Sequence, residues 1–501
     1  MLEAANAGAQ TPEADRLRGK VTPMSEREQT LFALANARVE PQVDASAFLT
    51  NPPPAPSGAA PTVISLFSGC GGLDLGFAAT GFRTMFAADN DRAAVAAYSH
   101  NLGHNAMTLD VLDPSFAREI SELEGCDVLL GGFPCQGFSK AGPKNQADER
   151  NSLYQAMVYS LKTLQPKMFI AENVDGLAQN YSGNVLEQVI SDCSSVGYMV
   201  CYQIVDAAWF GVPQHRRRII IVGIRDDLSQ HEYEWPVATH KWVCRNGERA
   251  IHNYYDYWSE TLREPITLGE AISGITDECA DHVNSGSTDE HDTLILAQVS
   301  QGQKLCNARH DATSVKTWDV PSVYGDTTNA EREILDLIAR NRRHKKYGSI
   351  PNGNPLALDV ISSLLGRTVG TSELDVLVEK RFLKVKNGKW DLRGAMFASG
   401  SYKRPLLNEP SPTILTVFEK ARYVAHPTEP RAFTVREVAR IQTFPDWFRF
   451  GQAGIKPEDS YRLIGNAVPP LLAVNIARGA KATLAAMSAT GVTAGELDVV
   501  A

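Results

Sequence analysis

The chain has 501 residues, more than one hydrophobic core usually organises, and its 43% hydrophobic and 21% charged residues are typical of an ordinary globular protein. It has no apolar run long enough to span a bilayer and no signal-peptide pattern, which excludes membrane and secreted proteins and predicts a cytoplasmic location. Its eight cysteines contain no CxxC pair, which indicates reduced thiols and argues against a metal site. The net charge of −9 argues mildly against a nucleic-acid partner, although a sum over the whole chain hides local basic regions.

The N-terminal segment, residues 1–60, is rich in Ala, Glu, Pro and Gln. It ends in a proline-rich stretch, Asn51-Pro-Pro-Pro-Ala-Pro-Ser-Gly. This composition predicts a disordered or weakly helical tail followed by a linker, without chemistry of its own.

Apolar strands and helical patterns alternate from Thr62 onwards. The predicted strands are short apolar runs at 63–67, 82–88, 128–130, 168–171 and 219–222. Such alternation predicts the α/β class, with a doubly wound, mostly parallel sheet covered by helices on both faces. We expect this first part of the domain to occupy residues 61–234.

The alternation fades at about residue 235, and polar, irregular sequence continues to about 430. A well-patterned segment then resumes at Thr434 and includes a long helix from Leu471 to Met487. The simplest architecture is one α/β domain that is interrupted by an inserted domain over 235–430. The domain is then completed by a closing segment over 431–490, and a tail follows over 491–501.

The loop after the first predicted strand, Phe67-Ser-Gly-Cys-Gly-Gly-Leu-Asp74, is placed to bind a ligand at the carboxyl edge of the sheet. Its glycines let the backbone approach a ligand; Asp89 could accept hydrogen bonds from ribose hydroxyls, and Asp110 from an adenine amino group. The loop lacks the third glycine of the G-x-G-x-x-G fingerprint, because Asp74 stands there and would repel a pyrophosphate. An adenosyl ligand without pyrophosphate, such as S-adenosylmethionine, fits this pattern. The alternative is that the glycines only make a tight turn.

Three further features follow predicted strands. Cys135 follows a proline in the loop Gly131-Gly-Phe-Pro-Cys-Gln-Gly-Phe-Ser139, which suits a nucleophile, although a lone cysteine is more often a small buried hydrophobe. Glu172 ends the next strand with no cation near it in sequence, so it could hold and donate a proton or simply face solvent. Strand alternation sends Arg216 and Arg218 to one face, where they could hold a phosphate or a carboxylate, or face water.

The sharpest basic run is Arg340-Asn-Arg342-Arg343-His-Lys345-Lys346. It lies in the region 331–430, which has 17 Lys and Arg against 11 Asp and Glu. A charge run alone is usually a solvated face. It becomes informative only where nucleic acid is expected for an independent reason.

Taken in order, these motifs resemble the cytosine-C5 DNA methyltransferase family. The resemblance covers about residues 62–230 and 410–488. It is carried by the two glycine-rich loops, by Glu172-Asn-Val and Gln214-His-Arg-Arg-Arg218, and by the segments 436–446 and 465–470. It implies a Rossmann-like methyltransferase fold, S-adenosylmethionine as the cofactor and a target-recognition role for the inserted region.

The resemblance also implies a role for each matching residue. Cys135 would attack C6 of a flipped cytosine, Glu172 would contact N3 and the exocyclic amine, Arg218 would hold the base, and Arg216 would support the loop or backbone. The implied cofactor contacts are Phe67, Gly69, Gly71, Gly72, Leu73, Asp89, Asn90, Asp110, Val111, Pro134, Asn466 and Val468. The candidate DNA contacts are Gln136, Ser139, Arg340, Arg342, Arg343, Lys345 and Lys346. Two positions depart from the family's pattern: Gly137 stands where Ala or Pro is common, and Asn90 where a large apolar residue is common.

The implied reaction transfers a methyl group from S-adenosylmethionine to C5 of cytosine in a specific double-stranded DNA sequence, through a covalent bond between Cys135 and C6. A restriction endonuclease of the same specificity could accompany the enzyme without touching it. Three alternatives are methylation of a transfer RNA by the same chemistry, a catalytically inactive DNA-binding relative, and a nicotinamide-dependent oxidoreductase. The long inserted region favours DNA over RNA. The intact Cys135, Glu172 and Arg218 argue against an inactive relative, and the broken glycine fingerprint argues against the oxidoreductase.

Overall fold

The computed structural model describes residues 47–103, 106–134, 153–179, 184–241, 262–284, 289–350, 353–393 and 400–493. Seven strands in these ranges form one sheet: β1 (Thr62–Leu66), β2 (Arg83–Asp89), β3 (Met107–Thr108), β4 (Val128–Gly131), β5 (Met168–Val174), β6 (Tyr198–Asp206) and β7 (Arg217–Arg225). The strand order is β3-β2-β1-β4-β5-β7-β6, and within this sheet only β7 runs antiparallel to its neighbours. The predicted α/β class with a mostly parallel sheet is confirmed.

Helices surround this sheet and fill much of the remaining chain. They are α1 (Ala47–Thr50), α2 (Gly72–Ala79), α3 (Arg92–Leu102), α4 (Ser115–Ser121), α5 (Gln155–Leu164), α6 (Gly176–Gln179), α7 (Asn184–Ser195), α8 (Leu268–Ile272), α9 (Glu290–Leu296), α10 (Pro321–Tyr324), α11 (Asn329–Asn341), α12 (Leu358–Leu365), α13 (Thr371–Glu379), α14 (Val435–Ile441), α15 (Pro457–Asn466) and α16 (Pro470–Thr493). Four short strands lie outside the main sheet: β8 (Lys304–Leu305), β9 (Ser314–Val315), β10 (Leu383–Lys386) and β11 (Lys389–Leu392). Within the described ranges, no helix is both long and apolar enough to cross a bilayer.

The sheet separates two hydrophobic cores. Adjacent residues of a central strand enter different cores: Leu129 and Ile219 belong to one, Leu130 and Ile220 to the other. Helices α2 and α16 pack in the core that contains Leu130 and Ile220, while α4, α5 and α7 pack in the core that contains Leu129 and Ile219. Because strands buried on both faces read as continuous apolar runs, β4 and β7 were recognisable from sequence.

Strand β6 was not predicted. It lies at the edge of the sheet, where Met199 and Tyr202 are exposed and Val205 is buried. An edge strand that is partly solvated has neither a continuous apolar run nor strict alternation, so its sequence gives a weak signal.

The region from 235 to 430 contains more regular structure than its polar sequence indicates. It holds α8 to α13 and two small sheets, β8–β9 and β10–β11. Leu268 near its start, and Ile414 and Phe418 near its end, pack in the same core as residues of α14 and α15. Because buried residues at both ends belong to the core of the closing segment, the limits 235–430 of an inserted domain stay a prediction.

Part of the predicted N-terminal tail belongs to the fold. Phe48 on α1 is 6% exposed and packs in the same core as Phe450. The indole Nε1 of Trp447 donates a 2.8 Å hydrogen bond to the carbonyl oxygen of Phe48. Residues 47–50 of the predicted disordered or weakly helical tail therefore form a short helix that packs on the fold, whereas residues 1–46 lie outside the described ranges. Helix α16 likewise extends to Thr493, into the predicted C-terminal tail.

Candidate active site

Two backbone amides of the loop after β1 donate hydrogen bonds to the end of β2, one to a carbonyl and one to a carboxylate. The amide of Ser68 donates to the carbonyl of Ala88 at 3.0 Å, and the amide of Gly69 donates to Asp89 Oδ2 at 2.9 Å. Phe67 and Gly69 have φ values of 54° and 56°, in the left-handed region. Burial raises the pKa of Asp89. The loop and the Asp89 carboxylate therefore form one preorganised unit at the carboxyl edge of the sheet.

The closing segment of the chain touches this loop. A Cβ atom on Gly72 would lie 2.3 Å from the carbonyl oxygen of Val468, so only glycine permits the approach. Leu73 and Val468 are buried, and Asn466 at the end of α15 is exposed. Four of the predicted cofactor residues are thus together, although almost 400 residues of chain separate the two segments.

Asp74 does not face a ligand. It is 1% exposed and accepts 2.9 Å hydrogen bonds from Ser65 Oγ and Tyr98 Oη. Burial raises the pKa of Asp74 to about 6. Our expectation that its charge would repel a pyrophosphate was therefore wrong, because the carboxyl group points into the protein between two hydroxyl donors.

The predicted adenine contacts lie next to Asp89. The amide of Leu109 donates to the backbone carbonyl of Asp89 at 3.0 Å. Asp110 is exposed, and its Oδ1 accepts from the amide of Leu112 at 3.0 Å, which orients the carboxylate. Val111 is half-buried and Asn90 is exposed. These residues can supply an acceptor and an apolar surface to a base.

The segment that leads to Cys135 starts at the same edge. A Cβ atom on Gly132 would lie 3.8 Å from the carbonyl oxygen of Phe67. Asn173 Nδ2 donates a 2.9 Å hydrogen bond to the carbonyl of Phe133, and Pro134 is half-buried. This segment is therefore adjacent to the loop after β1 and held by the residue that follows Glu172. The predicted nucleophile, Cys135, lies outside the described residues, as do Gln136 and Ser139.

Glu172 and Arg218 form an ion pair at this edge. Arg218 Nε lies 2.7 Å from Glu172 Oε1, and the two side chains are 12% and 10% exposed. The antiparallel register pairs Val174 with Arg218, which brings the arginine beside the glutamate. Glu172 has no cation near it in sequence, and its partner Arg218 comes from another strand. Arg218 Nε does not approach Glu172 Oε1 along the direction of a hydrogen bond. Glu172 Oε1 therefore has no hydrogen-bond partner among the described residues.

Arg216 has a different environment from Arg218. It is 1% exposed and donates to three backbone carbonyls, those of Ile414 at 3.2 Å, Gly465 at 2.9 Å and Ala467 at 3.0 Å. Burial lowers the pKa of Arg216 well below its usual range. The guanidinium is therefore committed to joining β7 to the closing segment and is not available to a phosphate.

Two residues of this region had no predicted role. Asn173 was quoted in the Glu172-Asn-Val motif, and Gln442 in the segment 436–446. Gln442 Nε2 donates to the carbonyls of Ile464 at 3.0 Å and Ala467 at 2.6 Å. The motifs that contain Asn173 and Gln442 could have singled out both residues. The carbonyls to which their side-chain amides donate are distant in sequence, so the sequence could not have shown these contacts.

The predicted basic run divides into two groups. Arg340, Arg343, Lys345 and Lys346 are exposed. Arg342 is instead buried, and its Nη2 lies 2.7 Å from Asp391 Oδ1. The predicted DNA contact at Arg342 is therefore corrected: this guanidinium neutralises a buried carboxylate inside the inserted region.

The chain was compared with known families and proteins. Residues 61–482 match the model of the family described as C-5 cytosine-specific DNA methylase. The chain is similar to the type II methyltransferase M.NgoFVII of Neisseria gonorrhoeae, with 31% identity over 83% of this chain and 86% of the relative. It is also similar to M.HgiBI of Herpetosiphon aurantiacus, with 30% identity over 83% and 95%, and to M.BsuRI of Bacillus subtilis, with 28% identity over 83% and 78%.

Proposed function

This chain belongs to the C-5 cytosine-specific DNA methylase family, and we propose from that premise how its residues divide the reaction. It is a DNA cytosine-C5 methyltransferase and uses S-adenosylmethionine. The observation that carries our assignment is the buried Glu172–Arg218 pair beside the loop after β1, with Glu172 Oε1 lacking a hydrogen-bond partner among the described residues.

The residues at the carboxyl edge fit the cofactor. Ser68 Oγ is buried without a hydrogen-bond partner among the described residues, next to the glycines of the loop. Asp89 is held by two backbone amides, those of Gly69 and Asp91, and keeps lone pairs for ribose hydroxyls. Phe67, Asp110 and Val111 would bind the adenine, and Asn466 and Val468 would close the other side. When bound, S-adenosylmethionine supplies the methyl group as an electrophile.

Glu172 and Arg218 would hold the target base. A cytosine stacked in a duplex hides its C6 face, so the nucleotide must rotate out at a cost of roughly a few kcal/mol. Glu172 would then bind N3 and the exocyclic amine, and Arg218 would hold the carboxylate in place and contact the base. A buried carboxylate that already points at the base is effective here, because no surrounding water has to reorient during the reaction.

Cys135 would be the nucleophile. Its thiolate forms a bond to C6, and the ring electrons displaced by that bond make C5 nucleophilic enough to accept the methyl group. C5 then loses its proton to a base, the C6–S bond breaks, and the electron pair restores the aromatic ring while the thiolate leaves. This covalent route divides one difficult step into easier ones. The assignment is supported by Phe133 and Pro134, which precede Cys135 in sequence and lie at the same edge as Glu172.

A duplex with 5-fluorocytosine at the target position tests this assignment. Fluorine cannot leave C5 as a proton does, so the bond between protein and DNA should persist and survive denaturing electrophoresis. We expect the complex with the wild-type chain and with Cys201→Ser, a control at an exposed cysteine, but not with Cys135→Ser. An equally abundant complex with Cys135→Ser would overturn the nucleophile.

Transfer of a tritiated methyl group separates the substrates. We expect label in DNA, and less than about a thousandth of the wild-type rate with Cys135→Ser. Label in transfer RNA but not in DNA would favour the RNA alternative. No transfer to either would favour an inactive relative.

The relatives' names class them as type II methyltransferases. We propose that this chain likewise protects a DNA sequence against a restriction endonuclease of the same specificity, in the cytoplasm and without contact between the two proteins. Sequencing 5-methylcytosine in DNA from expressing cells would identify the protected sequence. The proposal fails if an endonuclease that cuts this sequence still cleaves the methylated DNA.

A further inference from the structure

The inserted region contains a module with its own hydrophobic core, over residues 317–393. Most of the core comes from apolar side chains of α11, α12, α13 and the β10–β11 hairpin, and the rest from the segments beside them. All of its buried members lie between 318 and 392: Trp318, Ile334, Leu335, Ile338, Ala339, Leu356, Ile361, Val369, Leu374, Leu377, Phe382, Leu383, Trp390 and Leu392. A core drawn only from this part of the chain makes the segment a unit distinct from the α/β domain.

The order of elements in this module is helix, strand segment, helix, turn, helix and hairpin. After α11, the backbone of Leu356 forms two hydrogen bonds with Trp390, both 2.8 Å long, so β11 lies between β10 and the segment around Leu356. Helix α12 ends at Gly366, which has a φ of 69°, and α13 begins at Thr371. A helix–turn–helix pair followed by such a hairpin is the arrangement of a winged helix, a DNA-binding architecture.

The hairpin, which we call the wing (Leu383–Leu392), is strongly basic. Its turn is formed by Asn387 and Gly388, with φ values of 52° and 68°, the geometry of a tight type I′ turn. Lys384, Lys386 and Lys389 are exposed on it. Between residues 380 and 393 there are six Lys and Arg and one acid, Asp391.

The second helix of the pair has the opposite charge. Helix α13 carries Glu373, Asp375 and Glu379 and no basic residue. In helix–turn–helix proteins this helix usually enters the major groove. Glu373 is paired with Arg367, whose Nη1 lies 3.0 Å from Glu373 Oε2, but Asp375 and Glu379 are exposed and would be repelled by phosphates.

The wing and the predicted basic run belong to one surface. The buried Asp391 lies 2.7 Å from Arg342 Nη2 and 3.7 Å from Lys384 Nζ, so it fastens the end of α11 to the wing. The buried Asn354 donates to the carbonyls of Arg342 at 3.3 Å and Gly348 at 3.1 Å. These bonds order the loop that presents the exposed Arg343, Lys345 and Lys346, a basic segment some 40 residues away in sequence.

We propose that residues 317–393 form a winged-helix module that binds the phosphates of duplex DNA through the wing and the exposed residues 343–346, and not through α13. The inference rests on the proposed DNA substrate and assigns part of its contact surface. Lys386 and Lys389 face each other across the turn and would contact the backbone. Such contacts position the protein on the duplex and make its affinity depend on salt.

The test compares full-length variants with the same loss of charge. Lys386→Gln/Lys389→Gln removes two charges from the wing. The control Arg118→Gln/Lys162→Gln removes two exposed charges from α4 and α5 on the α/β domain. We expect the wing variant to bind duplex DNA more weakly than the wild type, and the slope of log K against log salt to be smaller in magnitude by about 2. Its deficit relative to the wild type should therefore be largest at 50 mM salt and shrink by ~10-fold at 200 mM. Its kcat at saturating DNA and its melting temperature should stay unchanged, as should all properties of the control.

A second variant tests α13 directly. Thr371→Ala/Ser372→Ala/Val376→Ala removes exposed side chains from this helix, and it should leave affinity and the methylated sequence unchanged. Wild-type affinity and salt slope in the wing variant would overturn the proposal, while methylation of DNA by the wild type would leave the proposed function standing. A loss of affinity or a changed target sequence in the α13 variant alone would assign DNA contact to the helix instead.

Discussion

Two acids near the carboxyl edge of the sheet have opposite surroundings. Asp74 is fully buried between the hydroxyls of Ser65 and Tyr98, and no ion pair joins it to a cation in the part of the chain that the structure describes. Glu172 is nearly as buried but lies against the Arg218 guanidinium. Neutral donors only partly offset the loss of water around a charge, whereas a guanidinium compensates it directly. Asp74 therefore belongs to the structure of the loop, whereas the surroundings of Glu172 fit the role in the reaction that we propose for it.

Asp74 should make the stability of the protein depend on pH. Its pKa of about 6 in the folded protein is above its ordinary value of 3.8, so the folded state holds the proton more tightly. The wild type should then lose stability as the pH rises from about 4 to about 6, by roughly 2–3 kcal/mol. Asp74→Asn lacks this loss, so its stability relative to the wild type should improve between pH 5 and pH 7.5 in urea unfolding. A constant difference across this range would contradict the assignment.

Glu172→Gln tests the second acid. The amide keeps the size of the side chain but loses the charge next to N3, so we expect kcat to fall by roughly 10²–10³-fold. Binding of S-adenosylmethionine, measured by calorimetry, should stay within about twofold of the wild type. Glu187→Gln, at an exposed position on α7, is the matched control. A kcat close to the wild-type value in Glu172→Gln would remove this residue from the reaction.

At the scale of elements, α2 and α16 join the two halves of the α/β domain. They cover the same face of the sheet, although one follows β1 and the other ends the domain. A Cβ atom on Gly76 of α2 would lie 2.4 Å from Cβ of Ala473 and 2.5 Å from the amide nitrogen of Val474 on α16. Glycine is therefore required for the two helices to approach this closely.

Gly76→Ala should destabilise the protein by roughly 1–3 kcal/mol. The free-energy cost of the steric overlap is larger than the gain of about 1 kcal/mol in helix propensity from replacing a helical glycine. Because α2 follows directly from the cofactor loop, the affinity for S-adenosylmethionine should fall as well. Gly58→Ala is the control, because no atom lies within 4 Å of its added Cβ. Equal urea midpoints for the two variants would show that α2 and α16 do not pack this tightly.

At the scale of the whole molecule, two buried arginines connect segments that are distant in sequence. Arg216, immediately before β7, donates to the carbonyls of Gly465 and Ala467 in the closing segment and to that of Ile414 before it. Arg436 on α14 lies 3.0 Å from Asp281 and donates to the carbonyls of Pro445 and Phe448. A guanidinium can serve several acceptors at once, which a lysine cannot do in the same geometry. Arginine thus links the closing segment to parts of the chain that are distant in sequence.

The charge of the molecule is also unevenly distributed. The whole chain carries −9, yet residues 331–430 have 17 Lys and Arg against 11 Asp and Glu. An acidic body with a basic region should bind DNA weakly and with a strong salt dependence, because counterions are released from the phosphates. We expect affinity for duplex DNA to fall steeply between 50 and 200 mM salt in fluorescence anisotropy. A flat response over this range would contradict the assignment of the basic residues to DNA.

The sequence by itself determined the family, five of the seven strands of the main sheet and the placement of the candidate loops at its carboxyl edge. It could do so because the loops that meet a ligand require particular residues at fixed local spacing, and because strands buried on both faces are continuously apolar.

Only the tertiary structure decided which charged side chains face inwards. Asp74, Arg216 and Arg342 look like surface or ligand residues in sequence, but each is buried against partners that arrive from other elements. The strand register likewise brings a cation beside Glu172, and Asp391 joins the wing to the basic run. Such contacts link residues tens to hundreds of positions apart, and local patterns carry no information about which distant groups will meet.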